Sequence, residues 1–556
     1  MRLTQYLPIL EWLPRYQKAY LSGDFNAGLT VAVMLVPQGM AYGLLAGLPP
    51  IYGLYAGILP LLLYSFFGTS RQLSVGPVAL VSLLILTGVG QFAEPGSAQF
   101  ISYAITTALI AGIIQVLLGV FRLGFLVNFL SHPVISGFTS AAAIIIGISQ
   151  LQNLMGISIP RSNRIHVIVG SIIEKFGEIH YTTLLLGILG IALIFWLKKV
   201  NKKIPGALIA VILGIVGVYF LKLNEQGVAV VGKVPQGLPQ MVMPVFNWEV
   251  IRQLLPLSLT ICLISFIESL AIAKTIEGKH KDYKVIPNQE LFALGITKIG
   301  GAFFQSYPTT GSFTRSAIND EAGAKTGLSS IISAVVIASI LLFLTPAFYY
   351  LPKAILASVI VVAVVGLINY KEAVHLWKND RRDFLSLIVT FLATLTLGIQ
   401  DGVMIGVILS LAIIIYRNSR PHVAVLGKLP EADLYRNVLR FKQAIRKKGV
   451  LIVRFDAPLY FGNAAYFRKQ VEDFYNAEPD PPILFVLDAQ GISDMDSSGA
   501  MELLELVRWI KNQNTTFRIS GAIGPIRDVL EKFGVSLEIG ANCFHLNVHS
   551  AVEGGA

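Results

Sequence analysis

The chemistry of this sequence starts with two ionisable residues in its hydrophobic part, Glu268 and Arg315. Glu268 lies inside an apolar segment, where a carboxyl is costly and usually faces the interior of a helical bundle. A carboxyl in that place suits a proton-coupling group, and a structural ion pair is the alternative. Arg315 stands beside Ser312, Thr314 and Ser316, and its guanidinium suits a small anion.

Two interrupted segments surround these residues. In Arg71–Ser82 an extended piece is followed by Gly76–Pro77, and because proline is best tolerated in the first turn of a helix, a helix is expected to start at about Gly76–Val78. Phe304–Asn319 repeats the pattern, with a helix start near Gly311–Ser312 and Arg315 in its first turn. A helix that starts inside a bilayer leaves N–H groups and a positive dipole end there, which must line a cavity or meet an anion.

The first apolar segment carries a further polar pair, Gln38 and Tyr42, which share one helix face next to the helix breaker Pro37. A kinked helix with a packed tyrosine is the alternative reading of this pair. Gln38 and Glu268 are 230 residues apart, and Pro77 and Ser312 are 235 apart. Similar offsets indicate an inverted repeat, and matching interruptions in two repeats point to a binding site at the membrane midplane.

The elements that position these residues are membrane spans. The chain has 556 residues, of which 54% are hydrophobic and 14% charged, and several apolar runs reach the roughly 20 residues that cross a bilayer. Fourteen candidate spans form two sets of seven, at about 25–46, 50–68, 77–90, 99–121, 133–153, 180–197 and 204–221, then 254–275, 289–303, 312–322, 326–347, 352–369, 382–398 and 402–417. The third and tenth are too short to cross alone.

Charge predicts the orientation. Basic residues concentrate in the connections that are cytoplasmic if the N-terminus is inside, which places both termini in the cytoplasm. The net charge of +11 is therefore attributed to cytoplasmic loops, and no nucleic-acid partner is expected. No cleavable signal pattern, metal cluster, disulfide framework or Walker-type phosphate loop is recognised, so neither an enzyme nor ATP-driven transport is expected.

The composition changes after Arg417. We expect a cytoplasmic N-terminal segment 1–24, a transport domain 25–417 with repeats at about 25–221 and 254–417, a polar linker 418–436, and a soluble α/β domain 437–556. In the last, Asp496-Ser-Ser-Gly499 precedes a predicted helix, where Asp496 or Ser497 could simply cap the helix.

Three stretches resemble the SulP family of sulfate permeases, which is related to the solute-carrier sulfate and anion exchangers and to prestin. VPQGMAYGLLAGLPPIYGLYAGILPLLLYSFFGTSRQLSVGPVALVSLL (36–84) looks like the family's signature region, and FFQSYPTTGSFTRSAIN (303–319) resembles its second repeat. FVLDAQGISDMDSSGAMELLELV (485–507) resembles a STAS domain.

The resemblance implies a polytopic α-helical membrane protein of fourteen segments in a 7+7 inverted repeat. A core domain (spans 1–4 and 8–11) would move against a gate domain (spans 5–7 and 12–14), in a homodimer embedded in lipid. The substrate-binding residues carried over from the family are Gln38, Tyr42, Val78, Ala79, Ser312, Phe313, Thr314 and Arg315. Glu268 matches the family's cation-coupling carboxylate. Ser497 or Ser498 matches a possible phosphorylation site, and the resemblance also implies that the STAS domain could bind a regulatory partner.

These observations favour secondary active transport of an inorganic anion across the cell membrane, with proton-coupled sulfate uptake by an elevator movement as the first choice. No cofactor is expected, and the coupling ion is H+ or, alternatively, Na+. Bicarbonate, chloride, nitrate or dicarboxylate as substrate, a passive channel or exchanger, and a sensor whose output is the STAS-like domain all stay open.

Overall fold

The computed structural model describes residues 7–125, 131–159, 165–201, 204–280, 282–430, 432–540 and 543–554, with the side chains of all of these except 399–400. The outermost residues of the predicted segments 1–24 and 437–556 therefore lie outside the described part. The chain divides into two compact units, Met1–Ser410 and Leu411–Ala556.

The first unit is built from helices and two very short strands. The elements of the first half are α1 (Ile9–Trp12), α2 (Tyr20–Leu45), α3 (Pro50–Tyr55), α4 (Leu59–Phe67), β1 (Val75–Gly76), α5 (Ala79–Val89), α6 (Ala98–Val120), α7 (His132–Ser149), α8 (Leu151–Met155), α9 (Ile165–Glu174), α10 (Tyr181–Val200) and α11 (Gly206–Leu221). Those of the second half are α12 (Trp248–Glu277), α13 (Pro287–Phe303), β2 (Thr310–Gly311), α14 (Phe313–Glu321), α15 (Leu328–Phe343), α16 (Lys353–Val365), α17 (Tyr370–Asn379), α18 (Arg381–Leu397) and α19 (Ile399–Ser419), whose residues from Leu411 onward belong to the second unit.

Every one of the fourteen expected spans coincides with a helix or a pair of helices in the described residues. Eight described helical segments are long and apolar enough to cross a membrane, and shorter apolar helices such as α5 and α15 complete the bundle. The second and fifth spans are each broken into two pieces, α3–α4 and α7–α8. The sequence did not predict α1, α9 or α17, because none of them is long enough to form a span.

Close backbone contacts hold the first spans together. A Cβ on Gly53 of α3 would lie 1.8 Å from the carbonyl oxygen of Gly39 in α2, so only glycine permits this approach. At the other end of α2, the buried Asp24 carboxylate accepts hydrogen bonds from the N–H groups of Lys325 (2.7 Å) and Thr326 (3.0 Å), just before α15. The bonds to Asp24 join the two halves of the chain.

The second unit is an α/β domain around one mixed sheet. Its elements are β3 (Val423–Lys428), β4 (Tyr435–Asn437), β5 (Val450–Phe455), α20 (Ala464–Asn476), β6 (Leu484–Asp488), α21 (Ser497–Asn512), β7 (Thr516–Ser520), α22 (Gly524–Lys532), α23 (Val535–Ile539), β8 (Phe544–His545) and α24 (Val548–Glu553). The strand order is β4-β3-β5-β6-β7-β8; β5 to β8 are parallel, and β3 and β4 are antiparallel to their neighbours.

The prediction that residues 418–436 form a linker is wrong, because part of this segment belongs to the sheet. Val423–Lys428 is a strand that pairs with Val450–Phe455, and Tyr435 and Arg436 belong to the edge strand beside it. Alternate residues of β3, Ala424 and Leu426, are buried in the core of the domain, which explains why Val423–Lys428 forms a strand. The domain therefore begins before residue 437.

Candidate functional site

The two interrupted segments meet in a short antiparallel pairing. Val75 of β1 pairs with Gly311 of β2, and Gly76 pairs with Thr310. The pairing extends by one bond, in which the Ser312 N–H donates to the Ser74 carbonyl at 3.0 Å. Because β1 leads into α5 and β2 into α14, the N-termini of both helices lie at this crossing. Both are positive ends of helix dipoles.

The helix starts differ slightly from the expected ones. α5 begins at Ala79 with Val78 as its N-cap, so Pro77 precedes the helix and does not stand in its first turn. The Val78 side chain offers no cap, which leaves the first N–H groups of α5 without a side-chain acceptor from that residue. α14 begins at Phe313, and the Ser312 hydroxyl caps it by accepting from the Arg315 N–H at 3.5 Å.

Arg315 links the two segments. Its side chain is 0% exposed; Nη1 donates to the Pro77 carbonyl at 2.9 Å and Nε to the Ser74 hydroxyl at 3.4 Å. Nη2 is buried without a hydrogen-bond partner in the described structure, and it would lie 3.2 Å from a Cβ placed on Gly76. A buried guanidinium with a free donor is an arrangement that an anion could complete.

Glu268 lies on the wall of a cavity of about 760 Å³. The cavity is bounded on one side by α2, α5, α12 and α14 and on the other by helices that include α7, α10, α11 and α16, so it separates the expected core spans from the expected gate spans. Glu268 Oε2 is buried and has no hydrogen-bond partner in the described structure. Arg315 and Tyr42 are the charged or titratable groups that interact electrostatically with it.

The structure brings the expected substrate residues to one region in two layers. Four of the nine expected binding and coupling residues line the cavity, namely Gln38, Glu268, Phe313 and Thr314. The other five lie at or behind the helix ends, namely Tyr42, Val78, Ala79, Ser312 and Arg315. The site is thus a cavity wall backed by the buried Arg315 and two helix N-termini.

Ser497 and Ser498 belong to the second unit and are exposed in the first turn of α21. Asp496 is the N-cap of that helix: its carboxylate accepts from the N–H of Gly499 at 2.8 Å and from that of Phe461 at 3.0 Å. The serines are accessible, and their phosphorylation stays a prediction.

With this geometry in hand, the chain can be compared with known proteins. The model of the sulfate permease family matches residues 21–390, and that of the STAS domain matches residues 442–551. The chain belongs to the sulfate permease family.

Members of this family are similar over the whole chain. Chloroplastic sulfate transporter 4.1 of Arabidopsis thaliana is 39% identical over 100% of this chain and 83% of its own length, and high affinity sulfate transporter 2 of Stylosanthes hamata is 36% identical over 96% and 83%. The murine anion transporter SLC26A9, solved in the inward-facing state, superposes with a TM-score of 0.91 at 27% identity, covering 99% of this chain and 93% of that one. The chain is therefore an anion transporter of this family, with the 7+7 transmembrane fold and a STAS domain.

Sequence reasoning missed several polar residues around the site of this sulfate permease family member. The hydroxyl of Ser269 in α12 forms a hydrogen bond with that of Thr310 in β2 at 2.9 Å, and the hydroxyl of Ser82 in α5 lies 3.0 Å from that of Tyr307. It also missed Lys298, which is buried in α13. The signal was present, since Ser82, Ser269 and Lys298 are polar residues in apolar stretches and Tyr307 and Thr310 belong to the second interrupted segment, but only packing shows which of them face the interior.

Proposed function

We propose that this protein takes up sulfate by secondary active transport coupled to protons, with Glu268 as the proton-carrying group. The observation that carries the proposal is that Arg315 Nη2 and Glu268 Oε2 are both buried without a partner beside two helix N-termini. A cation with a spare donor suits the anion, and a carboxyl with a spare oxygen suits a proton. The plant relatives named as sulfate transporters support this choice of substrate.

Charge balance supports sulfate over a neutral or cationic solute. Each helix N-terminus is equivalent to about half a positive charge, so two of them and Arg315 together supply roughly two, which matches a dianion. Moving negative charge into the cell against an inside-negative membrane potential costs about 2.3 kcal/mol per charge per 100 mV. A proton on Glu268 would remove part of that cost, which is the physical reason for coupling.

Alternating access would follow from movement of the core helices, which carry the site, against the gate helices on the other side of the cavity. The cavity reaches His132, Lys198 and Glu372, which stand on the expected cytoplasmic side. We propose that it opens to the cytoplasm, with both termini on that side of the cell membrane, and that the protein works as a homodimer whose STAS domain receives a regulatory partner.

The test is radiotracer uptake into proteoliposomes with and without an imposed pH gradient, for sulfate, bicarbonate, chloride, nitrate and a dicarboxylate. We expect saturable sulfate uptake that an inward proton gradient accelerates, and a Glu268→Gln variant that has lost this acceleration. Glu321→Gln is the matched control, because Glu321 lines the same cavity but is exposed.

Three outcomes would contradict the proposal. Uptake of another anion in preference to sulfate would overturn the substrate, and flux that never saturates would indicate a channel. A Glu268→Gln variant with unchanged pH-driven uptake would remove the coupling role. Replacing Na+ by an impermeant cation separates H+ from Na+ coupling in the same vesicles.

A further inference from the structure

Lys298 is a buried ionisable residue that the proposed transport cycle does not use. It stands in α13 and is 1% exposed, and its Nζ donates to the Gln115 side-chain oxygen at 2.9 Å. Within the described part of the chain, no carboxylate lies within ion-pair distance of it. A lysine buried in a membrane protein without a counter-charge is costly, and such residues usually serve the function.

The partner of Lys298 reaches a third helix. Gln115 of α6 is itself fully buried, and its Nε2 donates to the Cys262 carbonyl and to the Ser265 hydroxyl of α12, both at 2.9 Å. With Nε2 occupied in this way, only the Oε1 atom is left to accept, and Lys298 is the donor it meets. The lysine thus fixes the orientation of an amide that ties α12 to its neighbours.

The two helices at the base of this network are closely packed. One turn from Gln115 and Lys298, a Cβ on Gly112 would lie 2.8 Å from the Gly295 carbonyl oxygen, and one on Gly295 would lie 2.7 Å from that of Gly112. The backbones of α6 and α13 are therefore in direct contact. The hydrogen bonds from Gln115 therefore tie α12 to a closely packed pair of helices.

The network ends at the anion site. The Ser265 carbonyl accepts from the Thr310 hydroxyl at 2.9 Å, and the Ser269 hydroxyl accepts from the Gly311 N–H at 2.8 Å. Thr310 and Gly311 are β2, the strand that leads into α14. Glu268 stands between Ser265 and Ser269, so the stretch that carries the coupling carboxyl is the one bonded both to the Lys298–Gln115 pair and to β2.

We propose that Lys298 is a positioning residue for coupling, which acts through Gln115 to hold the Ser265–Ser269 stretch and Glu268 against β2. The proposal rests on the proposed role of Glu268. The titratable groups that face the participants are Cys262 toward Lys298, and Arg315 and Tyr42 toward Glu268. Arg315 is held by its own bonds to Ser74 and Pro77, so anion affinity should change less than the pH response.

The experiment compares Lys298→Met, Gln115→Leu and the double variant in the full chain, with Lys298→Arg as the conservative control. Uptake is measured in proteoliposomes as a function of pH, and sulfate binding on the purified protein. We expect the pH of half-maximal uptake to move by about one unit in both single variants, the size of effect that one hydrogen bond produces, with sulfate affinity within about twofold. The double variant should show the same shift as the single variants, because both substitutions break the same chain of hydrogen bonds. Lys298→Arg should keep the pH dependence of the unsubstituted protein.

A second readout does not depend on transport. Hydrogen exchange of the Gly311 N–H and of the α12 amides near Ser265 should become faster in Lys298→Met and stay unchanged in Lys298→Arg. The proposal would be overturned if hydrogen exchange were unchanged in Lys298→Met. It would also be overturned if the pH profile of uptake, corrected for the amount of folded protein, matched that of the unsubstituted protein, even if Tm falls. If exchange accelerates while the unsubstituted protein shows no pH response, the coupling role of Glu268 is wrong and the positioning by Lys298 stands. If Lys298→Met does not fold, Gln115→Leu decides in the same two assays.

Discussion

Arg315→Met is the sharpest perturbation of the anion site, because it removes the buried charge and keeps most of the side-chain volume. Nη2 has no partner in the described structure, so in a complex it can give the anion one charge-assisted hydrogen bond, worth about 1.5–3 kcal/mol. That free energy corresponds to a loss of roughly 10- to 150-fold in affinity. Release of the Pro77 carbonyl and the Ser74 hydroxyl adds to the loss, because the first interrupted segment is then less fixed.

Stability should fall as well as affinity. Arg315→Met leaves the buried Pro77 carbonyl and Ser74 hydroxyl without their donor, at a cost of about 1–3 kcal/mol for each group, so Tm should fall and affinity must be expressed per folded protein. Sulfate binding to purified protein would be measured by calorimetry or by a radioligand assay, beside a thermal melt of the same sample. A variant that loses affinity only in proportion to its loss of folded protein would contradict the reasoning.

Two controls separate charge from geometry. Lys325→Met removes an exposed positive charge from the same repeat and should leave affinity unchanged, since an exposed charge is screened by salt. Arg315→Lys keeps the charge but not the planar fork, so it cannot hold Pro77 and the anion together and should give an intermediate affinity. An affinity within about twofold of the original in Arg315→Met would refute the proposed site.

Much of this site could be predicted because its signals are local. Polar residues with a proline inside an apolar region indicate a broken span, and the two helix starts were expected within a few residues of Ala79 and Phe313. The pairing of β1 with β2 was less accessible. Its register, with Val75 opposite Gly311, depends on how two distant segments pack, and two residues per strand carry no alternation pattern.

The errors have physical causes too. Residues 418–436 were expected to be a linker because polar residues and two prolines, Pro421 and Pro430, flank its short apolar run. Val423–Lys428 is nevertheless a strand between β4 and β5, because prolines that lie outside a strand leave its ladder hydrogen bonds intact. Lys298 was missed because a single lysine in an apolar span looks the same whether its stem snorkels to the surface or its ammonium is buried. The partner that distinguishes these cases, Gln115, is 183 residues away in the chain.

Two further predictions concern packing and capping. Gly53→Ala places a Cβ 1.8 Å from the Gly39 carbonyl oxygen, so α2 and α3 must separate. Overpacking of this kind typically costs about 1–3 kcal/mol, and Tm should therefore fall. The control Gly170→Ala, whose Cβ would have nothing within 4 Å, should not lower Tm. In the STAS domain, Asp496→Ala removes a cap that accepts two backbone N–H bonds, at 2.8 and 3.0 Å. Loss of an N-cap costs about 1 kcal/mol, so amide exchange in the first turn of α21 should accelerate roughly fivefold in the full-length protein. Ser497→Ala, at an exposed position next to the cap, should leave that exchange unchanged. Equal exchange in the two variants would show that the carboxylate does not hold the start of the helix.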